Sequence, residues 1–163
     1  MATVLLMAAV LQYSVLSTIR VAGVAPELLL VVAIAGGIVA GEQRGAVTGF
    51  AAGVAMDLIM PGRAFGLSVL TFTLVGFMVG RYQTSAASRS RPTVVVIAGV
   101  ASVLASGAYI SLARVFDGAD LLNGQFLVVA LVVAAWSMVL VLPVTAVVRW
   151  AWRLPAGVSA WSR

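Results

Sequence analysis

The chain reads as an all-α integral membrane protein: a single helical domain, residues 1–163, built from six transmembrane helices. Three observations predict this. Of its 163 residues, 63% are hydrophobic and only 9% are charged, whereas soluble domains carry roughly 25% charged residues. Such a chain cannot cover its surface with polar groups, so its solvent is lipid, where only helices or closed barrels satisfy every backbone group. The apolar runs are long and do not alternate, which selects helices over the strands of a barrel. The arginines lie between those runs rather than in a patch.

The first expected span covers 3–19 and ends at Arg20. It lacks a basic start and reads as an anchor rather than a cleavable leader. The second, 27–41, opens after Pro26 with Glu27. Proline at a helix start forfeits no hydrogen bond, and a carboxylate there complements the helix dipole. A polar turn, Glu42-Gln43-Arg44, leads to the third span, 45–60, and Pro61-Gly62-Arg63 forms a tight reversal. The fourth covers 64–80, the fifth 93–112 and the sixth 123–150, with Pro143 expected to kink the last. A hydrocarbon core about 30 Å thick needs roughly 20 helical residues. The second and third spans fall short of that, which fits a thinned or protein-buried part of a bundle. A re-entrant hairpin of the same pair is the competing reading. Full spans are preferred because the loop charges then sort correctly.

The net charge is +5, from ten Arg and no Lys. A cytoplasmic N-terminus places Arg44, Arg81, Arg89, Arg91, Arg149, Arg153 and Arg163 inside, and Arg20, Arg63 and Arg114 outside. Seven against three follows the positive-inside rule and puts both termini in the cytoplasm. Trp150 and Trp152 flank Arg149 and Arg153, as in an interfacial belt. Arginines scattered between apolar runs are not a nucleic-acid surface. The longest inner loop, 81–92, is basic and Ser-rich. It links spans and meets anionic lipid, or it docks a cytoplasmic partner through Arg89 and Arg91.

Chemistry is scarce. There is no Cys, hence no disulfide or thiol, and no His, the commonest general base and metal ligand. Serines stand without a Lys or His base, and the carboxylates are scattered, so no catalytic or cofactor constellation emerges. One segment stands out: Gly45, Gly49, Gly53 and Asp57 recur every four residues, tracing one stripe on a helix. Small residues let helices approach closely in lipid. Gly76 and Gly80, and Ala98, Ser102 and Ser106, repeat the pattern. Packing within the chain explains most such stripes, and docking of another helix is the sharper reading. A carboxylate at a helix centre costs on the order of 2.5–3.5 kcal/mol. Asp57 lies near the outer end of its span without relay partners. It is expected to accept hydrogen bonds from the backbone or hydroxyls of a neighbouring helix, or to pair with Arg63 or Arg20, rather than to carry protons.

These residues resemble a known family. Gly49-Phe50, Gly53 and Asp57-Leu58, then Gly66, Val69-Leu70 and Gly76, follow the order typical of the rod shape-determining protein MreD family. Pro26-Glu27 followed by Leu28-Leu29-Leu30 is similar to the family's start of span two, although many relatives carry Asp or Asn where Glu27 stands. Pro143 matches a common feature of the last span. The resemblance implies a fold similar to the substrate-binding subunits of energy-coupling-factor vitamin transporters, and no cofactor. It also implies a non-catalytic scaffold in the bacterial cytoplasmic membrane that binds MreC. MreB, a RodA-type glycosyltransferase and a transpeptidase would complete the peptidoglycan-elongating complex. Self-association of the chain stays open. A vitamin-binding transporter subunit is the alternative, and it would need an outer pocket of converging polar groups.

Overall fold

A computed structural model gives the structure of the protein and describes residues 2–12, 14, 27–59, 66–82, 90–117 and 125–153. Five helices occur among the described residues: α1 (Ala2–Leu11), α2 (Leu28–Ile59), α3 (Leu67–Tyr82), α4 (Arg91–Asp117) and α5 (Gln125–Arg153). Arg91–Tyr109 and Val128–Trp152 are long and apolar enough to cross a membrane, Leu28–Ile59 is so by total length and composition although it turns at Gly41, and Leu67–Tyr82 is apolar but shorter.

The expected break between the second and third spans is not where the sequence put it. Residues 42–44 are already helical, and the chain turns instead at Gly41, with φ 82° and ψ −175°. An L side chain is strongly disfavoured in that backbone region, so a single glycine does the work of the anticipated polar loop. The turn is a reversal. A Cβ on Gly45 would lie 2.7 Å from the Gly37 Cα, and one on Gly36 would lie 2.8 Å from Thr48 Cβ. In a straight helix Gly37 and Gly45 would stand about 12 Å apart. The limbs before and after Gly41 therefore lie side by side. α2 is thus two helical limbs joined at Gly41, so that five helices, rather than the six spans expected, are distinguished among the described residues.

The other boundaries shift by a few residues. Only 2–11 of the expected first span is assigned to α1, and 15–20 lie outside the described residues. Arg91 begins α4 instead of closing a loop. Ser90 precedes it: its carbonyl accepts the Val94 N–H at 3.2 Å and its hydroxyl meets that of Thr93 at 2.5 Å, an N-cap arrangement. Pro143 is exposed inside α5, which continues through it to Arg153.

The core is centred on the first limb of α2. Leu29, Leu30, Val31, Val32, Ala33, Ile34 and Ala35 are all at most 1% exposed. A run buried on every side is what a helix wholly surrounded by protein requires. The outer helices show the complementary pattern. Leu131, Val139 and Val147 on α5, and Val96, Val100 and Leu104 on α4, face outwards, as an apolar solvent allows. Hydroxyls buried between helices return to their own backbones: Thr71 donates to Leu67 O at 2.9 Å and Ser102 to Ala98 O at 2.8 Å. Of the small face expected on the fifth span, Ala98 and Ser102 are fully buried and Ser106 is half-buried.

Candidate functional site

The residues of the Gly49–Asp57 segment divide into two sets by the direction in which they point. Gly45, Gly49 and Gly53 face α3, and the approach is backbone to backbone. A Cβ on Gly53 would meet Ser68 O and Val69 N at 2.7 Å, and one on Gly49 would meet the Phe72 carbonyl group and Thr73 Cα. Gly76 answers from α3, its carbonyl set against both Gly37 and Gly45. Gly80 fits against the Gly41–Glu42 backbone, with a virtual Cβ at 2.5 Å from Gly41 C. Three helical segments thus cross where none carries a side chain. This decides between the two readings of the stripe. Its groove is filled by the protein's own α3, and another protein's helix has no room there.

Phe50 and Leu58 lie on the opposite side. They are 54% and 68% exposed, and Val47 is 69% exposed on the same face. Steps of three and four residues keep Val47, Phe50, Val54 and Leu58 on one stripe. On α3 the matching outward set is Leu70, Leu74 and Met78.

Asp57 is buried, and one carboxylate oxygen accepts the Gly66 N–H at 2.8 Å. Gly66 has φ +101° and its carbonyl accepts the Leu70 N–H at 2.9 Å, so it is the residue from which α3 starts. The carboxylate sits at the positive end of that helix and fixes the glycine that turns the chain into it. This bears out the expected backbone hydrogen bond. The proposed alternatives, Arg20 and Arg63, lie outside the described residues, as does Pro26. Glu27 is half-buried just before α2, and its carbonyl accepts the Val31 N–H at 3.2 Å. Arg91 is exposed and Arg89 lies outside the described residues.

Sequence reasoning missed Gln12. It is 8% exposed, its Oε1 accepts the Leu29 N–H at 3.0 Å, and its Nε2 lies 3.8 Å from Met56 Sδ. Leu29 N–H is one of the first-turn donors that a helix leaves without a partner. Gln12 satisfies it from outside and ties α1 to the far ends of both α2 limbs. Its signal was plain enough, an amide inside an apolar run.

Among the described residues no group of three His, Cys, Asp or Glu could hold a metal ion. An open apolar depression of about 280 Å³ is lined by Val132, Ala135, Trp136 and Val139 of α5.

No curated protein and no solved structure matches the chain. The profile of one family, described as rod shape-determining protein MreD, matches residues 1–151. That stretch runs from the start of α1 into the last turn of α5 and takes in the glycine stripe, Asp57, Gly66 and Pro143. The chain belongs to the rod shape-determining protein MreD family.

Proposed function

We propose that this protein is a non-catalytic membrane scaffold of the cell-elongation complex that holds MreC through its transmembrane region. Membership of the MreD family over residues 1–151 carries the reading, because it gives the protein a role in rod shape determination within the MreBCD system. MreB, a RodA-type glycosyltransferase and a transpeptidase join the complex by the same resemblance. The protein sits in the cytoplasmic membrane with both termini inside, and Arg89 and Arg91 offer the cytoplasmic docking point. The two limbs of α2 then act as separate spans in a bundle similar to the substrate-binding subunits of energy-coupling-factor transporters.

The glycine stripe is closed by α3, so the partner's helix belongs on the outward face of that pair, at Val47, Phe50 and Leu58, with Leu70 and Leu74 beside them. The family motif supports this placement: its glycines and Asp57 build the pair, whereas Phe50 and Leu58 make no part of the core. Nothing among the described residues favours the vitamin-binding alternative, since the α5 depression does not offer converging polar groups.

A photoreactive amino acid placed singly at Phe50, Leu58, Leu131 or Val139 in living cells tests the reading. Crosslinks to MreC are expected from Phe50 and Leu58 and not from the α5 positions. A folded protein giving no MreC crosslink from either α2 site would overturn this face as the docking surface.

A further inference from the structure

At the bundle end formed by the Gly41 reversal, the Arg44 guanidinium lies over the Trp152 ring, 4.8 Å from its centroid. That contact joins the second limb of α2 to the last turn of α5. A cation within about 6 Å of an indole face is held by the ring quadrupole. A guanidinium carries five N–H donors, and a ring contact of this kind uses none of them as a conventional hydrogen bond, so they remain for an acceptor. No carboxylate pairs with Arg44 or Arg149 among the described residues, and both side chains are exposed. Arg81 stands at the same corner, because its neighbour Gly80 packs on Gly41 and Glu42. Arg149 is one turn before Trp152, and Trp150 beside it is 62% exposed. Glu42 is the one acid of the 41–44 corner, against Arg44 and, from α5, Arg149. The Trp152 indole N–H is buried and has no acceptor among the described residues. An unmatched donor of that kind is costly away from water.

We infer that this corner is a binding site for the phosphodiester of an anionic phospholipid, with Arg44, preorganised by Trp152, as its principal ligand. The chemistry is complementary. A planar fork suits phosphate oxygens bidentately, exposed Arg149 supplies further positive potential, and exposed Trp150 suits the boundary between acyl chains and headgroups. A phospholipid is favoured over a free phosphate because the site opens at the end of apolar helices, where acyl chains extend along α5. The inference does not depend on MreC binding, and either can fail without the other.

The test uses the full chain, reconstituted in vesicles of phosphatidylglycerol and phosphatidylcholine, extracted in mild detergent and weighed by native mass spectrometry. Wild type is expected to keep phosphatidylglycerol in preference to phosphatidylcholine. Arg44→Gln should lower that retention at least about tenfold, the scale of a lost charge-assisted hydrogen-bonded pair. Arg44→Lys, which keeps the charge but not the fork, should fall most of the way. Arg114→Gln, the same charge loss in the last turn of α4, should change little. Inorganic phosphate at millimolar concentration should not compete. If Arg44→Gln does not fold, Arg44→Lys and Trp152→Phe carry the test. Equal retention of the two lipids by wild type would overturn the site, as would unchanged retention in a folded Arg44 variant or equal losses from Arg44→Gln and Arg114→Gln. Competition by inorganic phosphate would overturn the assignment to lipid.

Discussion

The hydrogen bond from the Gly66 N–H to Asp57 explains why a carboxylate is worth its desolvation here. It holds the one residue that must adopt φ +101° before α3 can begin. An amide oxygen can accept the same bond, so Asp57→Asn should unfold within about 1 kcal/mol of wild type, whereas Asp57→Leu strands the Gly66 N–H and should lose about 1–3 kcal/mol. Thermal unfolding in detergent reads both. An Asn variant as unstable as the Leu one, with Asp57→Glu restored, would show that the charge matters rather than the acceptor. Asp57 was legible in the sequence because a lone acid in an apolar run demands a partner. Which partner was not legible, since the choice between Gly66 and an arginine depends on how the 60–66 segment returns. Gln12 shows the opposite case: its polarity was visible, but its tie to Leu29 rests on how α1 is placed against α2, which no local pattern encodes.

Among the described residues, α2 and α3 form the most extensive helix pairing, and their glycines bring backbone against backbone. Gly53→Leu should therefore act on folding before it acts on any partner. Its side chain would drive into the Val69 backbone, which cannot step aside as a side chain could, so a loss of about 3 kcal/mol or more is expected, at the upper end of overpacking costs. Phe50→Ala, on the outward face, should leave the unfolding temperature near wild type and weaken co-purification with MreC. A Gly53→Leu protein that is monodisperse and as stable as wild type would refute the backbone contact. The spacing of Gly45, Gly49 and Gly53 announced a close approach, but a stripe of absent side chains does not name what fills it. The α2 reversal was hidden for another reason. Glu42-Gln43-Arg44 has the composition of a loop, yet these residues tolerate helix well, and Gly41 alone supplies the forbidden dihedral.

For the molecule as a whole, the all-helical fold and its apolar exterior followed from composition, because a chain with 9% charged residues has few alternatives. The number of separate helices did not follow, since a one-residue reversal leaves no gap in hydropathy. Sidedness is open to a direct measurement, made simple by a chain without cysteine. Single cysteines at Gly62 and Asn123 should react with a membrane-impermeant thiol reagent added outside intact spheroplasts, and cysteines at Ala2 and Ser162 should react only after lysis. Labelling of one terminus from each side would refute the proposed topology. The helix lengths carry a final consequence. With 16 residues, α3 rises about 24 Å, and the outward-facing limb of α2 after Gly41 rises about 27 Å, while α5 with 29 residues rises about 43 Å. One flank of the protein is short and the other tall. Lipids beside the short flank must shorten to match it, at fractions of a kcal/mol for each ångström. Two such flanks share a single zone of compressed bilayer when they meet, so the Gly41 reversal gives this protein a lipid-borne tendency to gather with other short-helix neighbours, ahead of any direct contact between them.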